Sequence, residues 1–186
     1  MVIWQTQTSH LFQALDYVNE YDVRVTLDYV RGRTSLWQPF YVVYATDVYD
    51  DMDESLVHVP NFPSLSGHIT CDGKAKQLIV GLVRDHVQFL PLLSSTMRDR
   101  RYNLLFPKTV LDCLDTEQSE FGPSRRGNIR GIRKYAFRRE AIGNTPIFRL
   151  PARGITSHQP YVNDRFKQLV EANNLTGLKF KRVWQG

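Results

Sequence analysis

The chain reads as an α+β protein: mixed or antiparallel sheets with few helices, two copies of a helix-then-strand unit, and a small N-terminal lobe. An internal duplication carries most of this expectation. Residues 69–92 align without a gap to residues 160–183 at an offset of 91. In the first copy Asp72 precedes KAKQLIV and the unit closes on HVQFLPL; in the second Asn163 precedes RFKQLVE and the unit closes on GLKFKRV. The shared centre is Lys76-Gln77-Leu78-Ile79 against Lys167-Gln168-Leu169-Val170, with Phe89 answering Phe180. A second observation is the series of short alternating, β-branched runs outside the copies. A third is a charge division, with 3 basic and 9 acidic residues in 1–66 against 21 and 10 in 67–186, net −6 and +11.

Taken in order, MVIWQ alternates apolar and polar residues as a short strand does. Thr8 is positioned to cap a helix through SHLFQALDYVNEY, with Leu11, Leu15 and Val18 on one stripe. VRVTLDYV alternates and reads as a strand, ended by the turn-prone RGR; PFYVVYAT reads as the next. The acidic run DVYDDMDES has no regular period. VPNFPSLSG, with two prolines, is a connector, and it places a boundary between a lobe over 1–59 and a repeat-bearing body over 60–186.

Each repeat predicts an extended lead-in, a helix capped by Asp72 or Asn163, and an alternating strand. Phe166, Leu169 and Val170 form the apolar stripe of the second helix. Gly177 is read as ending that helix, with Leu178 and Phe180 on one sheet face. Between the copies, RYNLLF is a strand that leads into a short helix or turn over Leu111 to Glu120. IRGIRKYAF and TPIFRL suggest two strands joined as a hairpin through RREAIGN.

A length of 186 residues with 42% hydrophobic content suffices for one sizeable core. No run of about 18 apolar residues occurs, and the N-terminus lacks signal-peptide character, so the cytosol is the expected compartment. Cys71 and Cys113 have no zinc or disulfide spacing and read as buried thiols. The five histidines, His10, His58, His68, His86 and His158, are scattered. No nucleophile elbow or phosphate loop is present. Neither catalytic residues, nor a metal, nor a cofactor is expected.

The ordered series NFPSLSGHITCDGKAKQLI, VQFLPL, YNLLFPKTVLDCLDTEQSEF, NIRGIRKYAF, IFRLPA and YVNDRFKQLVEANNLTGLKF resembles immunity family eleven of bacterial polymorphic toxin systems. The resemblance spans residues 58–184. Where that family often carries Ser at its helix caps, this chain has Asp72 and Asn163. The resemblance implies a cytosolic, non-enzymatic protein that binds a cognate toxin domain, encoded by the adjacent gene and delivered by a sibling or neighbouring cell. Nuclease toxins exported by type VI or related machinery are among the pairings it implies. It carries over no catalytic residues.

Two constellations are candidates for toxin contact. The acidic set is Asp47, Asp50, Asp51, Asp53 and Glu54, with Tyr49 among them. It lacks the central Gly and the register of a calcium loop, and reads either as a solvated loop or as carboxylates imitating nucleic-acid phosphates to plug a basic cleft. Tyr41, Tyr44 and Tyr49 are the candidate aromatic anchors, the strand positions among them reading equally as core. The basic set, Arg125, Arg126, Arg130 and Arg133 with Lys134, Arg138 and Arg139, is interleaved with Tyr135 and Phe137. It reads as a half-exposed strand, a toxin contact or, as the alternative function, a nucleic-acid-binding segment.

Overall fold

Both repeats fold as local chemistry dictates. In the computed structural model, which describes residues 1–9, 12–45, 59–94, 101–122, 131–151 and 160–186, Asp72 caps helix α2 (Gly73–Val83) and Asn163 caps helix α4 (Asp164–Ala172). Asp72 Oδ1 accepts a hydrogen bond from the Ala75 backbone N–H at 2.7 Å, and Asn163 Oδ1 accepts from that of Phe166 at 3.2 Å. Each cap satisfies an orphan donor of the first turn and contributes about 1 kcal/mol. Helix α2 buries Ala75, Ile79 and Val83, and α4 buries Phe166 and Val170. Positions 75 and 79 map onto 166 and 170 by the same offset of 91.

The duplication extends to strand register. Strands β5 (His68–Cys71) and β6 (Val87–Leu92) bracket α2, and β7 (Tyr102–Pro107) lies between them, antiparallel to both. Strands β11 (Tyr161–Asn163) and β12 (Leu178–Gln185) bracket α4, and β1 (Val2–Thr8) lies between them, again antiparallel to both. Thr70 and Leu90 flank Leu104, while Tyr161 and Lys181, each 91 residues later, flank Gln5. Cys71 and Pro91 flank Asn103, as Val162 and Arg182 flank Trp4. Each unit is therefore a β-α-β split by a third strand in one common register. The equivalent lysines also match: Lys76 Nζ sits 5.3 Å from the Phe89 ring centroid, and Lys167 Nζ sits 4.8 Å from that of Trp4 and 5.9 Å from that of Phe180.

The second unit belongs to a four-stranded sheet, β10-β11-β1-β12, where β10 is Ile147–Phe148. The first belongs to a six-stranded sheet that also holds β2 (Leu15–Tyr17), β3 (Val42–Tyr44) and β4 (Ser64–Leu65), in the order β3-β2-β4-β5-β7-β6. One core joins the two units, with Ile79 and Val83 of α2 beside Phe166 and Val170 of α4 over Phe62, Val87, Leu105 and Val162. A second core lies under helix α1 (Glu20–Val30), built from Leu15, Tyr29, Phe40, Val42 and Leu104. A third fills the opposite side of β1 with Ile3, Phe137, Phe148 and Tyr161. Strand pairing crosses the expected 59/60 boundary in both large sheets, since β1 sits between β11 and β12 and Leu15 of β2 pairs with Leu65 of β4.

Four local expectations are corrected. The helix expected through SHLFQALDYVNEY does not form among its described residues before Glu20, where α1 begins: β1 continues to Thr8, and Leu15–Tyr17 is β2, antiparallel to β3. Leu15 and Tyr17 face one core by strand alternation, and Val18, placed on the buried helical stripe by sequence, is 53% exposed. Conversely, VRVTLDYV is helical. Asn19 caps α1 by accepting from the Asp22 N–H at 3.1 Å, Glu20 and Asp22 favour its positive end, and Asp22, Thr26, Tyr29 and Val30 are buried at helical spacing. That buried stripe outweighs the β-branched propensity.

In the third case RREAIGN holds helix α3 (Arg139–Ile142) and no hairpin. Strand β9 (Ile132–Lys134) pairs with β8 (Glu120–Phe121), and β10 pairs with β11. Finally, α4 stops at Ala172, where Asn174 turns left-handed at φ 50; Gly177, at φ 101, instead directs the chain into β12. Within Leu111 to Glu120 the observed structure is a turn over residues 116–118.

Candidate functional site

Of the ten residues singled out for toxin contact, Arg133 is described: it is exposed on β9, beside Lys134, whose Nζ lies 3.5 Å from Glu120 Oε1. Asp47, Tyr49, Asp50, Asp51, Asp53, Glu54, Arg125, Arg126 and Arg130 lie outside the described residues. The aromatics interleaved with the basic residues turn inward. Phe137 is buried, Tyr135 stacks on it at 5.7 Å, and the Tyr135 hydroxyl is 3.1 Å from that of Tyr161. Phe137 is thus part of the core and half-buried Tyr135 packs against it, so neither stands out among the cations as a stacking platform for bases does.

Helix α1 and the segment leading to β3 build a different surface. A concavity of about 550 Å³ is lined by Val18, Asn19, Asp22, Phe40, Tyr41 and Val43. A second, of about 390 Å³, is lined by Tyr21, Arg24, Asp28 and Leu36 among others. Around them Tyr21 is 67% exposed, Leu36 73% and Tyr41 51%, and Leu93, bridged to Tyr41, is 40% exposed. Exposed large side chains set along one helix make this the candidate interaction face among the described residues. Tyrosine suits such a face because its ring buries area at low entropic cost and its hydroxyl stays hydrogen-bonded.

The support beneath this face is rigid. Trp37 packs edge-on to Tyr29 at 5.3 Å and donates from Nε1 to the Pro91 carbonyl at 3.0 Å. Leu93 bonds to both chain neighbours of Tyr41: its N–H donates to Phe40 O at 2.8 Å, and its carbonyl accepts from the Val42 N–H at 2.9 Å. Of the aromatic anchors named from sequence, Tyr41 is on this surface, whereas Tyr44 is half-buried with its hydroxyl 3.2 Å from that of Tyr102. Tyr21 was not singled out because it falls at the end of the helix expected through SHLFQALDYVNEY; with Asn19 as cap it is instead the second residue of α1, on its outer face.

The chemistry of the thiols is that of core side chains. Burial pushes both Cys71 and Cys113 up from 9.0 to about 12, so neither is a thiolate nucleophile at neutral pH. Above pH 9 the unfolded chain has released these protons while the folded chain holds them, so it binds fewer protons than the native state. Stability is thus insensitive to the thiols below pH 9 and falls from 9 toward 12, by at most about 1.4 kcal/mol per pH unit for each thiol. Urea midpoints at pH 8 and 11 are expected to show this alkaline loss, with a shallower slope in Cys71→Ala. Among the described residues no three metal-ligating side chains gather, and no helix is long and apolar enough to cross a membrane.

The comparison with curated proteins gives no match. Residues 41–185, which hold β3, both repeats and everything between them, match the model of the immunity protein family (Imm11), and the chain belongs to that family.

Proposed function

We propose that this immunity protein neutralises its cognate toxin by seating the α1–β3 face on the toxin and laying the acidic segment over its active site. Membership of the family supports toxin neutralisation by a non-enzymatic inhibitor. The observation that carries the docking mode is the exposure of Tyr21, Leu36 and Tyr41 at two concavities bordering α1, on a stretch of chain that runs on to Asp47, Asp50, Asp51, Asp53 and Glu54. In this arrangement the tyrosines supply the desolvated anchors of the complex. The carboxylates speed encounter with a basic cleft, as the substrate path of a nuclease offers. Arg125, Arg126, Arg130 and Arg133 form a separate basic contact. The partner domain is encoded by the neighbouring gene, its export route is of the type VI kind, and neutralisation takes place in the cytoplasm.

The test is co-expression with that toxin domain, followed by titration of an inactivated toxin. Growth should be restored and a one-to-one complex formed. Tyr21→Ala and Tyr41→Ala should each weaken binding about 10- to 30-fold without moving the melting temperature, as exposed anchors do. Charge reversal at Asp50, Asp51 and Asp53 should chiefly slow association and flatten its salt dependence. Persistent toxicity, together with retardation of nucleic acid by the purified chain at physiological salt, would sink the reading in favour of a nucleic-acid-binding module.

A further inference from the structure

A narrow cleft of about 230 Å³ opens at the other end of α1, between its C-terminus and β7. Its walls are polar and apolar in nearly equal parts, with Ile69, Leu104, Phe106 and Leu150 on the apolar side, and its charged lining residues among those described are Arg31 and Arg149, next to His68. No Asp or Glu is among the described residues that line it. Arg149 is held by its backbone: its N–H donates to Thr109 O at 3.0 Å and its carbonyl accepts from the Leu111 N–H at 3.0 Å. Its guanidinium lies over the Phe106 ring, 5.0 Å from the centroid. Its Nε is buried without a hydrogen-bond partner, and it forms no ion pair among the described residues.

A half-buried guanidinium stays charged, so this one has lost hydration without gaining a counter-charge. Burial accordingly depresses its pKa. An anion entering the cleft supplies the missing counter-charge, and with Nε buried it is the pair of terminal Nη groups that offers a carboxylate two parallel bonds. Size decides what carries the anion. At about 230 Å³ the cleft is smaller than the roughly 300–1,000 Å³ of small-molecule sites. The apolar side of the cleft, with Ile69, Leu104 and Phe106, suits a short aliphatic stem, which a bare phosphate lacks. We infer that the Arg149 cleft receives one acidic anchor residue of the cognate toxin, its carboxylate on the guanidinium and its methylenes against Leu104 and Phe106. This rests on the docking mode proposed above: the two ends of α1, about 16 Å apart for 11 residues, fall within one interface footprint.

The experiment uses the full chain and the inactivated cognate toxin domain. Arg149→Gln should weaken binding at least about 30-fold, since truncating one partner of a desolvated pair leaves the other unpaired, and Arg149→Lys should recover part of it. Its melting temperature should hold or rise, because the charge removed has no partner in the free protein. A single Asp or Glu→Ala substitution on the toxin should reproduce the loss and be non-additive with Arg149→Gln. In the wild-type protein the Arg149 Nη–Hη resonance should shift downfield on complex formation, a readout independent of whether any variant folds. Unchanged affinity in Arg149→Gln, or an unmoved resonance in a formed complex, overturns the cleft while leaving the immunity reading intact. Failure of the wild-type chain to bind the toxin at all overturns that reading itself.

Discussion

Replacing Gly177 with alanine is expected to lower the free energy of unfolding by about 3 kcal/mol or more, combining backbone strain and overpacking at one position. Gly177 sits at φ 101, a conformation that L side chains rarely adopt. A Cβ there would lie 2.4 Å from the Phe62 carbonyl oxygen and 2.8 Å from Pro60 Cβ. Neither neighbour is free to yield. Phe62 N–H donates to Thr176 O at 3.0 Å, Thr176 N–H donates to Asn61 Oδ1 at 3.1 Å, and Ser9 N–H donates to Gly177 O at 3.0 Å. The substitution therefore pushes apart the connector, the end of β1 and the start of β12 together. Gly81→Ala on α2 is the internal control. That glycine has nothing within 4 Å of its would-be Cβ, and the change should stabilise by up to about 1 kcal/mol through helix propensity. Urea titration of both variants gives opposite signs if this account is right, and equal small effects if Gly177 is merely a turn residue.

Gly177 also marks where sequence reading stops. The caps at Asp72 and Asn163, the stripes behind them and the alternating strands that follow were legible because each is made within about 20 contiguous residues. The strands that split each unit were not. Nothing local to Val2–Thr8 announces that it will lie between strands beginning at Tyr161 and Leu178. Helix α1 failed for another reason: VRVTLDYV satisfies the period of a strand, and only the burial of Thr26, Tyr29 and Val30 against the sheet selects the helix.

The candidate site divides the same way. Its charges could be counted in the sequence, but which apolar residues stay exposed is decided by tertiary packing. Val18 was expected to be buried and faces solvent, while Tyr135 and Phe137, interleaved with cations, face the core. Arg149, read simply as part of a strand, gained interest only from the absence of a partner.

Deleting residues 1–9 is expected to abolish cooperative folding of the C-terminal sheet. Among the described residues strand β1 is the one sheet neighbour of β12, and it links β12 to β11. Without it, the eight residues of β12 lose their entire ladder, and β11 keeps only its short pairing with β10. The deletion also removes Ile3, fully buried in one core, and Trp4, which packs against another; side chains of this size contribute about 1.5–3 kcal/mol each. Two bonds to Asp164 go as well, from the Val2 N–H and Trp4 Nε1, each at 2.9 Å, so the first turn of α4 loses its anchor. These losses together approach the roughly 5–15 kcal/mol that holds a typical domain. The 10–186 chain should therefore show a broadened thermal transition and bind a hydrophobic dye, and a synthetic peptide of residues 1–9 should restore the sharp transition. The equal register of the two units makes that rescue specific: a peptide with Ile3, Trp4 and Thr6 replaced by serine should fail. A sharp transition in the 10–186 chain at an undiminished midpoint would mean that the body over 60–186 folds without β1. The second unit would then owe nothing to the N-terminus.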